Sequence, residues 1–127
     1  RIIDYKTGRV DAKDLKTESL SGLSDKEEPA KFLQVLAYAL MYSDMQAEPP
    51  GQLISGIVSL RKSSEYLLKT DIGKSNIIDK AMLEDFREEL SLIISNIFDE
   101  SVPFDQTNDR ETCKLCAFSA ICNRTVN

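Results

Sequence analysis

Apolar positions change their period several times along the 127 residues, and each change marks an element. Ile2, Ile3 and Tyr5 make a short strand, in which Asp4 and Lys6, two positions apart, face the same side. The stretch from Arg9 to Glu27 is rich in Lys, Asp, Glu and Ser with Gly22 inside it. It predicts a long loop, either mobile and in contact with a substrate or a disordered insertion. Glu28 and Pro29 predict the opening of a helix, because proline is tolerated in a first turn, and Phe32, Val35, Leu36, Ala39 and Leu40 continue it at helical spacing to about Tyr42. Pro49, Pro50 and Gly51 end the connection that follows. Leu53 to Leu60 reads as a strand, with Glu65 to Lys69 pairing against it across a polar turn at Arg61 to Ser64. Asp79 begins the strongest helix, in which Met82, Phe86, Leu90, Ile93, Ile94 and Ile97 form one apolar stripe while Glu84, Asp85, Arg87 and Glu88 face away. A stripe of this width predicts packing against a sheet rather than a groove for a partner. Pro103 closes the segment, and a loop with a short helical turn runs on through Cys122.

Composition narrows the class. With 42% apolar residues the chain supports one core, hence a single domain over 1–127, and no apolar run approaches the roughly 20 residues that cross a bilayer. A soluble, cytoplasmic protein with no membrane role is expected. The net charge of −5 counts against a dedicated nucleic-acid-binding module, although a nuclease is less constrained because metal ions offset charge at its centre. Lys6, Lys13, Lys16 and Lys31 either line one side of a cleft or are ordinary solvated surface. The chain has no histidine, so no Ser-His-Asp or Cys-His nucleophile and no histidine metal triad can be assembled from it. Acid–base work falls to carboxylates, lysine and tyrosine. No glycine loop of the phosphate-cradling kind is present, so ATP binding is not expected in this segment.

Three groups of residues carry candidate chemistry. Asp4 is a hard oxygen ligand suited to Mg²⁺ or Mn²⁺, and Lys6 beside it can hold a nucleophilic water or offset the charge that builds up in phosphoryl transfer. Taken alone, the pair also fits a surface ion pair on an edge strand. Gln34 and Tyr38, four apart, share one helical face and address one cleft, or else they are plain amphipathic packing. Cys113, Cys116 and Cys122 are an odd number of cysteines close together, which argues against a secreted disulfide scaffold and leaves soft-metal ligation or inert core thiols. The gap between Cys113 and Cys116 is common among zinc and iron–sulfur ligands, and a tetrahedral site needs a fourth ligand.

The strand end Asp4-Tyr5-Lys6-Thr7-Gly8, the helix bearing Gln34-x-x-x-Tyr38 and the closing Cys113-x-x-Cys116 and Cys122 occur in that order. Together they resemble the RecB/AddB-type exonuclease branch of the PD-(D/E)XK nuclease superfamily, including its iron–sulfur-containing members. The resemblance implies an α/β fold, a restriction-endonuclease-like mixed sheet flanked by helices. It implies that Asp4 is a metal ligand, Lys6 the catalytic lysine, and Gln34 and Tyr38 residues that reach the active centre or the DNA backbone. It further implies Mg²⁺ or Mn²⁺ as cofactor, DNA as substrate, and a helicase motor in the same chain or complex. Relatives supply another metal-binding Asp from a strand before the D-x-K motif and often an earlier Glu or His. The chain begins at Arg1, so the domain is expected to be truncated at its N-terminal side and to have little nuclease activity by itself. A catalytically inactive nuclease fold kept for DNA binding or assembly is the alternative, and a cysteine-metal interaction module a further one. In the iron–sulfur relatives the fourth cysteine lies upstream, so residues 112–123 are expected to be a cysteine tail holding part of a [4Fe–4S] site in the full-length protein, with zinc or structural cysteines as the other possibilities.

Overall fold

The computed structural model describes residues 1–23, 30–61, 66–101, 103, 106–108, 110–114 and 116–124. The expected helix opening at Glu28 and Pro29, and the turn and strand residues Lys62 to Glu65, lie outside the described residues. Two compact units are present, Arg1–Ser95 and Asn96–Asn127. In chain order the first contains β1 (Ile2–Lys6), a 3-10 turn (Ala12–Leu15), β2 (Lys16–Thr17), α1 (Ala30–Asp44), β3 (Gln52–Leu53), β4 (Ser55–Ser59), β5 (Leu67–Lys69), β6 (Asp71–Ile72), β7 (Ile78–Asp79) and most of α2 (Lys80–Phe98). The second contains the end of α2 and α3 (Arg110–Lys114).

The sheet that positions the site is β1-β4-β5, with β1 parallel to β4 and β4 antiparallel to β5. Parallel neighbours need a crossover, and α1 supplies it. The α1 helix carries buried side chains on two sides. Phe32, Leu36, Ala39 and Leu40 join Leu20, Leu23, Leu53, Ile72, Ile78, Leu83 and Phe86 in the larger core. Val35 joins Ile57 of β4, Leu68 of β5, Val10 and Leu15 in a smaller one. One helix therefore seals both cores and is fixed over the sheet. Where β4 meets β5 the backbones pass closely: a Cβ built on Gly56 would lie 2.4 Å from the Leu68 carbonyl oxygen. The hydroxyls of Ser55 and Thr70, both buried, satisfy each other at 2.7 Å.

Several expectations require correction. Of the loop expected over Arg9 to Glu27, mobile and in contact with a substrate or else a disordered insertion, Ser24 to Glu27 lie outside the described residues and Arg9 to Leu23 is packed: Val10, Leu15, Leu20 and Leu23 are buried and act as successive anchors. Asp11 N–H donates to Asp14 Oδ2 at 3.1 Å, and Lys31 Nζ reaches the same oxygen at 2.8 Å, tying the 3-10 turn to α1. Burial pushes the Asp14 carboxyl up, but the Lys31 hydrogen bond and nearby lysine charge outweigh it and hold it below its ordinary value. The strand expected over Leu53 to Leu60 is broken at Ile54. Leu53 pairs with Ile78 of β7 in the larger core, whereas Ser55–Ser59 lie on β1, so the chain changes sheets there.

The long apolar stripe of α2 is used only in part. Leu83 and Phe86 are buried, whereas Ile94, Ile97 and Phe98 are exposed. Met82 and Leu90 add partly buried contacts to the larger core. Asp79 does cap α2, accepting the Met82 N–H at 2.9 Å on Oδ1, and the helix stops at Phe98, ahead of Pro103. Arg87, expected to face away, forks onto Asp44 at the end of α1, at 2.6 and 3.1 Å.

Gly56→Ala is expected to lower stability by about 1–3 kcal/mol, the usual cost of forcing atoms into a filled space, whereas Gly8→Ala, with nothing within 4 Å, is expected to be nearly neutral. Urea unfolding midpoints of the two variants check this.

Candidate active site

Alternation along β1 sends Asp4 and Lys6 to the face covered by α1, and Ile3 and Tyr5 to the other, more exposed face. Lys6 Nζ lies 3.0 Å from Asp4 Oδ2 and donates to Gln34 Oε1 at 2.7 Å. Gln34 Nε2 donates in turn to the Tyr38 hydroxyl oxygen at 2.7 Å. An ammonium has donors and no acceptor, so it fixes which end of the Gln34 amide faces it and leaves the amide nitrogen for Tyr38. The strand and the crossover helix thus bring all four groups into one connected line. It is partly open to solvent, with the Lys6 side chain 31% and the Asp4 side chain 20% exposed.

Two oxygens beside this line lack hydrogen bonds among the described residues. Asp4 Oδ2 is buried without one: the ammonium is close enough for ionic attraction, but its geometry is not that of a hydrogen bond. The second is Ser59 Oγ on β4. Ser59 is the register partner of Lys6, so its side chain emerges on the same face, beside the lysine. Reading the chain alone missed Ser59, because nothing in its local sequence marks it. Only knowledge that β4 lies parallel to β1 could have found it. The other lysines do not form a basic wall: Lys31 is paired with Asp14 at 2.8 Å and Lys16 with Asp71 at 3.5 Å.

The fit to a divalent cation is one of kind, not of number. An oxygen of a carboxylate, buried and lacking a hydrogen bond, is the donor a hard cation takes. Among the described residues, however, no three Asp, Glu, Cys or His side chains converge to hold a metal, so Asp4 supplies one position only.

The second unit holds the cysteines. Cys113 is buried on α3, while Cys116 and Cys122 are half-buried. Turns connect them: Cys116 N–H donates to the Cys113 carbonyl at 3.3 Å, and Cys122 N–H to the Phe118 carbonyl at 3.4 Å. Two donors reach sulfur, Phe118 N–H to Cys116 Sγ at 3.4 Å and Arg124 Nη1 to Cys113 Sγ at 3.5 Å. Arg124 also bonds the Thr107 carbonyl, and Gln106 Nε2 the Cys122 carbonyl, so both ends of the segment are tied back to the chain before α3. The thiols do not converge on one point that could hold a metal.

Set against known families, residues 1–123 match the family model of the PD-(D/E)XK nuclease superfamily. No curated protein and no solved structure matches the chain. The mixed sheet with its helices is consistent with the restriction-endonuclease-like fold of that superfamily, whose members are usually nucleases and generally use divalent metal ions. No helix among the described residues is long and apolar enough to cross a membrane.

The hydrogen-bonded line has its own energetic signature. Gln34→Ala is expected to cost about 0.5–1.5 kcal/mol, measured by urea unfolding, because it leaves the half-buried Lys6 ammonium without its acceptor. Tyr38→Phe is expected to cost less, since Tyr38 is itself exposed and water can replace its hydroxyl as acceptor for the Gln34 amide.

Proposed function

The chain belongs to the PD-(D/E)XK nuclease superfamily, and on that premise we propose that it is the C-terminal part of a DNA exonuclease domain of the RecB/AddB kind. In this reading it works within a larger helicase–nuclease in DNA end processing, repair or recombination. The observation that supports it is the meeting of Asp4, Lys6, Gln34 and Tyr38 in one line, with a carboxylate oxygen left without a hydrogen bond.

The roles follow from the chemistry of each group. Asp4 would hold a Mg²⁺ or Mn²⁺ ion together with further oxygen ligands from the phosphate, water and acids elsewhere in the longer protein. When bound, such an ion acts as a Lewis acid and offsets negative charge on the phosphate. Lys6 keeps its ammonium beside the scissile phosphate and stabilises the charge that grows as water adds to phosphorus and the bond to the leaving sugar oxygen breaks. Gln34 positions Lys6 by accepting a hydrogen bond from its ammonium on Oε1, which fixes the group without neutralising it. Tyr38 holds the far end of Gln34 and turns its own hydroxyl proton outward, toward the DNA backbone.

The three cysteines extend the same reading. We infer that Cys113, Cys116 and Cys122, although their thiols do not converge on one point in this structure, would be drawn together as ligands of a [4Fe–4S] cluster completed by a fourth cysteine elsewhere in the longer protein. The sulfur-directed Phe118 N–H and Arg124 guanidinium support this, since donors to sulfur are a usual feature around such clusters.

In the full-length protein, Asp4→Ala and Lys6→Ala are each expected to lower Mg²⁺-dependent DNA cleavage at least about 100-fold, and Gln34→Ala by less. The 127-residue chain alone is expected to cleave little. Full cleavage by Lys6→Ala protein would remove Lys6 from the chemistry, and absence of Mg²⁺-dependent cleavage by the unsubstituted full-length protein would overturn the catalytic reading in favour of a fold kept for DNA binding or assembly. Robust cleavage by the short chain, lost with Lys6→Ala, would overturn the assignment of further metal ligands to outside segments. For the cysteines, anaerobic iron and sulfide reconstitution of the full-length protein is expected to give visible absorption that Cys113→Ser abolishes. Unchanged spectra in that variant would remove Cys113 from the ligand set, and no visible absorption in the reconstituted unsubstituted protein would remove the cluster.

A further inference from the structure

The α1 helix has a second apolar stripe that neither core uses. Tyr38, Met41 and Tyr42, with Met45 in the turn that continues the helix by donating its N–H to the Met41 carbonyl, recur at the spacing of one helical face and are 40%, 60%, 42% and 80% exposed. The solvent side of a helix in a globular protein ordinarily carries charge, yet no charged residue occurs between Lys31 and Asp44. The stripe is continuous with the site described above. Its first member, Tyr38, accepts the hydrogen bond from Gln34, which holds Lys6.

Its chemistry selects among occupants. The two charges at the ends of α1 are engaged, Lys31 with Asp14 and Asp44 with Arg87, so the ridge offers neither a cation for phosphates nor an anion for a basic peptide. The chain as a whole carries −5, which makes purely electrostatic capture of a polyanion unfavourable. What the ridge does present is two phenol faces and two thioethers. Every base has a π-face that stacks on an aromatic ring, and methionine moulds itself to planar groups. A duplex hides those faces, whereas a single strand exposes them.

We propose that the Tyr38–Met41–Tyr42–Met45 ridge is a stacking track for unpaired bases, along which a single DNA strand is led toward Asp4 and Lys6. This rests on reading that site as one that cleaves phosphodiesters. Affinity on such a track comes from bases more than from phosphates. It therefore discriminates single strands from duplexes, is indifferent to sequence, and responds weakly to salt.

Fluorescence anisotropy in EDTA, where cleavage does not intervene, tests this with three labelled probes of about 12 nucleotides: oligo-dT, a duplex, and an abasic strand that keeps the phosphates without bases. Oligo-dT is expected to bind at least about tenfold more tightly than either of the others, and Tyr42→Ala to weaken it about tenfold. Raising salt from about 50 to 200 mM is expected to weaken it by no more than about threefold, the effect of a single phosphate contact on a single strand. Abasic DNA binding as well as oligo-dT would overturn the proposal without involving any variant. So would Tyr42→Ala protein that binds oligo-dT normally while losing self-association in sedimentation, an outcome that makes the ridge a contact between copies. The cleavage reading fails by a different route, through Asp4→Ala protein that still cleaves, and the EDTA assay does not depend on Asp4.

Discussion

The hydrogen bond from Lys6 to Gln34 depends on a constraint of topology. Because β1 and β4 run parallel, the chain must leave the sheet and return, and the returning segment must cover one face. Here α1 is that segment, and its buried positions are occupied on two sides, by Val35 toward Ile57 and Leu68 and by Phe32, Leu36 and Leu40 toward the larger core. Held on both sides, the helix has little freedom to rotate. The residue next to Val35 on the sheet-facing flank is Gln34, and it meets the last residue of β1 at 2.7 Å. The placement of a polar amide against a lysine thus follows from apolar packing that involves neither.

The same logic explains why a chain of acidic balance can still belong to a family that handles a polyanion. Charge at the site is local. Lys6 faces Asp4, Lys31 faces Asp14, Lys16 faces Asp71 and Arg87 faces Asp44, so these four cations are each matched by an acid close by. Charges paired in this way contribute little to long-range attraction and act mainly through short-range contacts.

The parts legible in the sequence are those with strong local signals. Alternation in Ile2 to Lys6 gives the strand and puts the acid and the amine on one side, and the helical repeat from Phe32 to Leu40 gives α1 with Gln34 and Tyr38 one turn apart. Non-local pairing is not written locally. Ser59 is an ordinary serine until β4 is laid beside β1, and Leu15, Leu20 and Leu23 follow no period, so the packed segment around them resembled a loop. In α2 the repeat is real, but periodicity specifies a face without specifying how far the neighbour beneath it extends. Leu90 still packs against the larger core, whereas Ile94 is exposed.

The unsatisfied oxygen of Asp4 has a bearing on folding as well as on chemistry. Its charge is offset by the Lys6 ammonium at 3.0 Å, but it accepts no hydrogen bond among the described residues. If Asp4 takes a cation as proposed, that ligand would strengthen the native state in proportion to the logarithm of its concentration, so occupancy and conformational integrity of the strand would be thermodynamically linked.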